Sequence, residues 1–155
     1  MNQNSDFVSK NVKDIIEDKS LSYPQNMALA CAWLMGNMKG VNLKVIDMQG
    51  ASSLNDLSVL GSVTNIVQGQ SLAGTIIRQM KLNGYLPKGS EGMNNADWIL
   101  IDLGDVIIHI FLEHARSLYD LDGLWAESPT LPIPDEYYFS APPEAESSDS
   151  ESDYF

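Results

Sequence analysis

Between Asp97 and Phe111 two short apolar runs flank the tetrapeptide Asp102-Leu103-Gly104-Asp105, and few folds other than a β-hairpin accommodate that arrangement. Gly104 can take the positive φ that a tight turn needs, and the flanks Trp98 to Ile101 and Val106 to Phe111 are nearly all aromatic, β-branched or leucine. With Leu103 and Gly104 as the two-residue loop, Asp102 pairs with Asp105, Leu100 with Ile107, and Trp98 with His109. Period-two alternation then sets Trp98, Leu100, Asp102, Asp105, Ile107 and His109 on one face. Ile99, Ile101, Val106, Ile108 and Ile110 take the other.

The aliphatic face is core, since branched side chains with no polar member are what a sheet buries against helices. The mixed face has three readings: a packed side under a helix, a catalytic cluster, or a surface that docks a partner. A Trp with a charged rim is the composition of an interface hot spot.

The chain has 155 residues, 44% of them apolar, which suits one soluble domain with a real core. No apolar run is long enough to span a membrane, and the first 20 residues mix acids with lysines, unlike a signal peptide or an Arg-rich presequence. The single cysteine, Cys31, excludes a disulfide framework. A cytoplasmic location follows. The net charge of −12 argues against direct nucleic-acid binding, which needs clustered Lys and Arg. Residues 127 to 155 hold eight acids and no Lys or Arg, which leaves 13 acids against nine bases in residues 1 to 126.

Residues 1 to 21 are polar without a sustained apolar period and read as a mobile arm with at most a short helix around Val12 to Ile16. The domain occupies residues 22 to 126. Met27, Ala30, Cys31, Leu34 and Met38 recur at helical spacing from Pro24 on, and Gly40 stops them. Leu43 to Met48 and Leu57 to Leu60 read as strands, and Asn65 to Asn83 as a helix weakened by Gly69 and Gly74. A connector or short strand from Tyr85 to Gly92, the hairpin, and a helix over Glu113 to Leu121 complete the order α, β, β, α, β, β, β, α. That order predicts an α/β sandwich with one mixed sheet packed with helices. From 127 to 155 the chain is acidic and rich in Pro and Ser, a composition that predicts disorder. Tyr137-Tyr138-Phe139 is the exception, able to pack back or to meet a partner.

Asp102 and Asp105, with His109 as base or third ligand, form the only constellation resembling a metal-dependent catalytic site. Metal sites need three or more ligands at set spacing, and the chain has only two histidines. Asp105 beside a Gly turn reads equally as a backbone cap, and His109 as a strand residue stacked on Trp98. Gly61-Ser62, between strand and helix, resembles the turn of nucleotidyltransferases, but Gln70 to Met80 contains no acid to hold their metal ions. Walker, nucleophile-elbow and Cys/His patterns are absent. No catalytic residue, metal or cofactor is expected. The rival to a binding protein is a metal-dependent nucleotidyltransferase-like enzyme.

The segment Asp97-Trp98-Ile-Leu-Ile-Asp102-Leu-Gly104-Asp105-Val-Ile-Ile-His109-Ile-Phe111 resembles the signature of the ribosomal silencing factors, also called the Iojap family. The resemblance continues through Gly84-Tyr-Leu-Pro87 and Glu91-Gly92 upstream, and Ala115-Arg116-Ser-Leu-Tyr119-Asp-Leu-Asp-Gly-Leu-Trp125 downstream. Val45-Ile-Asp47-Met-Gln-Gly-Ala-Ser52 is similar to the family's first strand and Ser-containing loop. The resemblance covers roughly residues 27 to 125; the first 21 residues and the tail after Glu127 lie outside it.

What it implies is a non-enzymatic translational repressor that binds the large ribosomal subunit through ribosomal protein fourteen. It would block joining of the small subunit and lower translation under nutrient limitation. The implied fold is a nucleotidyltransferase-like sandwich without catalytic carboxylates. The partner-binding positions carry over to Trp98, Leu100, Asp102, Gly104, Asp105 and His109, and a monomer or weak homodimer is expected. One departure stands out: the family's Gly-x-Ser-x-Arg-His at the start of the second helix is replaced here by Ser62-Val-Thr-Asn-Ile-Val67-Gln68.

Overall fold

Two parallel strands at the centre of one sheet organise the rest of the chain. The computed structural model describes residues 3–94 and 97–139. In it β2 (Leu57–Val63) runs parallel to β5 (Val106–Leu112), with Leu57 opposite Val106 and Val63 opposite Leu112. On one side β4 (Trp98–Asp102) pairs antiparallel with β5, and β3 (Gly89–Glu91) closes that edge. On the other, β1 (Val41–Asp47) and β6 (Thr130–Leu131) complete the order β3-β4-β5-β2-β1-β6. The sheet is mixed and packed with helices, as the element order predicts.

Alternation along the strands produces two unlike faces. The aliphatic one carries Val45, Leu57, Val59, Ile99, Ile101, Val106, Ile108 and Ile110, all buried, under α2 (Gln25–Asn37) and α3 (Ile66–Leu82). Asn65 starts α3 by accepting a hydrogen bond from the Gln68 amide at 2.8 Å, leaving one orphan donor fewer at that helix end. Helix α2 presses so close to β2 that a Cβ on Gly61 would lie 2.6 Å from Met35 Sδ, so any side chain there would have to displace Met35. The second face carries Ile46, Met48, Leu60 and Phe111. These pack with Ala115 and Leu121 of α4 (Glu113–Tyr119) and α5 (Leu121–Leu124). The single helix expected over 113 to 121 is broken at Asp120, whose φ of 50° turns the chain and whose carboxylate then caps α5 through the Gly123 amide.

Three expectations are corrected. The arm is instead a helix, α1 (Gln3–Ile16), with Val8 and Val12 buried and Phe7 set against Trp33 at 5.9 Å. Val8, Val12, Ile15 and Ile16 keep helical spacing for little more than two turns, and what holds them is the apolar outer side of α2. Residues 127 to 139 likewise form a strap, not a disordered tail. Thr130 and Leu131 pair with Ile46 and Val45, which satisfies the otherwise open edge of β1. The Tyr137 carbonyl then sits where a Cβ on Gly36 would be, and Lys39 Nζ lies 5.3 Å over the Phe139 ring. The part of the acidic tail from 140 on lies outside the described residues.

The hairpin register is the third correction. Trp98 lies opposite Phe111, Leu100 opposite His109 and Asp102 opposite Ile107, and the Leu103 amide donates to Val106 O at 2.9 Å. The loop is therefore Gly104-Asp105. Gly104, with φ +93°, takes the first loop position, where hairpins with a single positive φ require glycine. The slip is by two residues, so every strand side chain keeps its face. Only Asp105 leaves the mixed face for the turn.

Candidate functional site: the aromatic face of the hairpin

Cross-strand neighbours place Trp98, Leu100, Asp102, Ile107, His109 and Phe111 on the face that α4 and α5 cover only in part. At its centre the Trp98 ring meets Phe111 at 5.1 Å and Tyr119 at 4.8 Å, with His109 at 5.9 Å. Trp125 closes on His109 edge-on at 5.9 Å. These rings lock one another, so the indole is held in one orientation while part of it faces solvent.

His109 supports this array from below. It is buried, and its Nδ1 accepts the Trp98 Nε1 hydrogen bond at 3.2 Å, which places the imidazole proton on Nε2. Burial, with the nearby Arg116 charge adding to it, lowers its pKa to about 4, so the ring is neutral at physiological pH and can go on accepting. Leu100, Asp102 and Gly104 are half-buried at the margin, with exposed Glu91 opposite Leu100 on β3. Asp102 Oδ1 accepts the Gly104 amide at 2.9 Å and so stiffens the turn.

Asp105 is exposed at the tip, away from Trp98. Its backbone carbonyl accepts from the Asp56 and Leu57 amides at 2.8 and 3.1 Å. Its carboxylate faces the Tyr23 hydroxyl, whose pKa is pushed up to about 12 by burial and by that acid. The structure thus brings Trp98, Leu100, Asp102 and His109 together and holds Gly104 and Asp105 at one end of the same hairpin. Among the described residues no group of three or more His, Cys, Asp or Glu could hold a metal ion. His114, the other histidine, is 70% exposed and 3.7 Å from Asp97.

Several side chains that build this face escaped the sequence reading. Tyr119 and Trp125 arrive from α4 and the end of α5, and their aromatic character was the available signal. A second element is a partly buried ion network. Arg116 donates through Nε and Nη2 to both Asp122 oxygens, at 2.6 and 3.1 Å, and through Nη1 to Ser62 Oγ at 2.8 Å. Lys44 Nζ reaches Asp122 Oδ1 at 2.7 Å. The Arg116 hydrogen bonds hold the Asp122 carboxyl well below the usual carboxylate range. This network ties α4 and α5 to β1 and β2, and so fixes Tyr119 over Trp98. Its partners lie far apart in sequence, so spacing alone gives no sign of it.

The family model described as ribosomal silencing factor during starvation matches residues 21–154. The match begins after α1 and includes the strap. The ribosomal silencing factor RsfS of Haemophilus influenzae is 37% identical over 92 residues, covering 59% of this chain and 90% of that protein. Its namesake in Bacillus subtilis is 36% identical over 88 residues, 57% of this chain and 75% of that one. A crystal structure of a Chromobacterium violaceum protein superposes with a TM-score of 0.65 at 27% identity, covering 68% of this chain and 88% of that one.

Proposed function

The chain belongs to the ribosomal silencing factor family, and from that premise we propose that it represses translation by docking on the large ribosomal subunit through ribosomal protein fourteen. Bound there, it keeps the small subunit from joining. The observation that carries this reading is the fixed, half-covered Trp98 ring, which continues into Tyr119 (44% exposed) and Leu118 (72% exposed) and is bordered by Glu91 and Asp102. An aromatic anchor with an acidic rim suits a basic ribosomal protein: the anchor gives desolvated contact, and the acids steer encounter.

In this reading Trp98 is the anchor and Leu100 extends its apolar contact. Asp102 and Asp105 supply charge, Gly104 shapes the turn, and His109 acts from beneath by holding the indole. The partner is protein and not nucleic acid, in keeping with the net charge of −12. Silencing of this kind needs bulk where the other subunit docks and no chemical step, so the protein is no enzyme. It acts in the cytoplasm, as a monomer or weak homodimer.

Sedimentation of the purified protein with isolated large subunits, isolated small subunits and assembled ribosomes tests this. Selective co-sedimentation with free large subunits is expected, diminished for Trp98→Ala and for Leu100→Glu, whose side chain lies at the margin of the packed rings. Binding to none of the three particles would sink the proposal. Equal binding by both folded variants would move the interface off this face.

A further inference from the structure

On the helical side of the molecule a cavity of about 590 Å³ opens between α1, α2, α3 and the strap, and no residue of the hairpin lines it. Its polar walls are Asn4, Ser5, Asn37, Thr75, Arg78 and Gln79, and Phe139 also lines it. Gln79 is 1% exposed, and its carboxamide donates through Nε2 to Ser9 Oγ at 3.1 Å. Its Oε1 is buried with no hydrogen-bond partner among the described residues. Native proteins rarely leave a buried amide oxygen unpaired, because the group gives up its water and gains nothing in return. Arg78, one position earlier on α3, is exposed, and among the described residues its guanidinium has neither ion pair nor hydrogen bond.

We propose that this cavity binds a nucleoside monophosphate whose base carries an amino group. Arg78 would take the phosphate as a charge-assisted, forked contact. The amino group would donate to Gln79 Oε1, satisfying the buried side-chain acceptor left open among the described residues, once the Asn4 and Ser5 end of α1 gives way to admit it. Lys39 Nζ lies over one face of the Phe139 ring, and the opposite face would stack on the base, as aromatic side chains do for any nucleobase. The volume falls within the about 300 to 1,000 Å³ of small-molecule sites, which is room for a ligand of nucleotide size. The site lies apart from the Trp98 face, so it can fail or hold independently of the docking proposal.

Equilibrium dialysis of the full chain against labelled AMP, CMP, UMP and inorganic phosphate tests it. AMP and CMP are expected to bind. UMP, which has a carbonyl where CMP has its amine, and phosphate alone are expected to bind at least about tenfold more weakly. Arg78→Gln, at an exposed position, is expected to weaken AMP and CMP binding about tenfold or more with an unchanged melting temperature. Absence of AMP and CMP binding, binding that ignores Arg78→Gln, or phosphate bound as well as AMP would each overturn the proposal.

Discussion

The two faces of the β4-β5 hairpin come from the same fifteen residues, yet they are finished in opposite ways. Ile99, Ile101, Ile108 and Ile110 meet α2 and α3 over their whole length and are 3% exposed or less. On the other face His109 and Phe111 are buried, with the short α4 and the end of α5 over part of it, while Trp98, Leu100, Asp102 and Ile107 all stay half-buried. The first face spends its side chains on stability. The second is held rigid by a few specific contacts and leaves its anchor within reach of another molecule. A face that is ordered without being covered is what a docking surface needs, because little entropy is lost on binding.

The sharpest way to break that contrast is to cut equal volumes from each side. Ile108→Ala, beneath α2 and α3, is expected to cost about 3 to 4 kcal/mol in denaturant unfolding. Leu100→Ala should cost less than about 1 kcal/mol. Equal losses would mean that both faces are core. The pH dependence separates them next. Folded His109 takes up its proton only near pH 4, against an ordinary value of 6.5. Between those values the unfolded chain binds more protons, so stability should fall as pH drops from about 6.5 to 4 and this contribution should then level off. The full span is about 3 kcal/mol. Asp122, held low by Arg116 and Lys44, acts in a separate window below its usual carboxylate range, where acid removes its contribution. Unfolding at steps between pH 7 and 4.5 should show the slope in the wild type and a flatter line in His109→Gln. Parallel lines would mean that the imidazole is not kept neutral by burial.

The contrast between faces was legible in the sequence because alternation depends only on parity, and a register slip of two residues leaves parity untouched. The exact pairing was not legible, since Leu103-Gly104 and Gly104-Asp105 both put a glycine in the loop; the Leu103 to Val106 hydrogen bond decides it. Helix α1 was missed for a different reason. Its few apolar residues gain stability only from the outer side of α2, and α2 itself is buried along nearly all its length. The strap was misread because Pro132 and Pro134 suggested disorder, whereas the short pair Thr130 and Leu131 precedes them and needs only an open strand edge. At the site, Trp98 and His109 were visible as neighbours on a strand pair. The ring of Tyr119, which fixes the indole, depends on Arg116 gripping Asp122 and Ser62, contacts between residues 6 and 54 positions apart.

If the mixed face docks through a central anchor, Trp98→Ala should weaken binding to large subunits by about 2 kcal/mol or more, close to thirtyfold. His109→Phe sharpens the comparison, because it fills the space but removes the acceptor that orients the indole. A smaller loss, about threefold to tenfold, is expected if the hydrogen bond orients without touching the partner. Binding assays paired with melting curves distinguish this from plain destabilisation: the affinity should drop at temperatures where both variants are fully folded.

The smallest expected effect concerns charge. Asp102 stands beside the rings, while Asp105 sits at the hairpin tip against Tyr23. Reversal of either charge should slow association with a basic partner and flatten its salt dependence, because acids at the rim of a docking face act chiefly on encounter. Asp105→Lys also sets an ammonium where the Tyr23 hydroxyl now meets a carboxylate, so Tyr23→Phe is the control that removes the contact and keeps the charge. Stopped-flow association at low and high salt should show Asp105→Lys slowed and Tyr23→Phe near wild type. If instead both variants bind normally at every salt concentration while Asp102→Lys is slowed, the tip belongs to the fold alone and the docking face ends at Asp102.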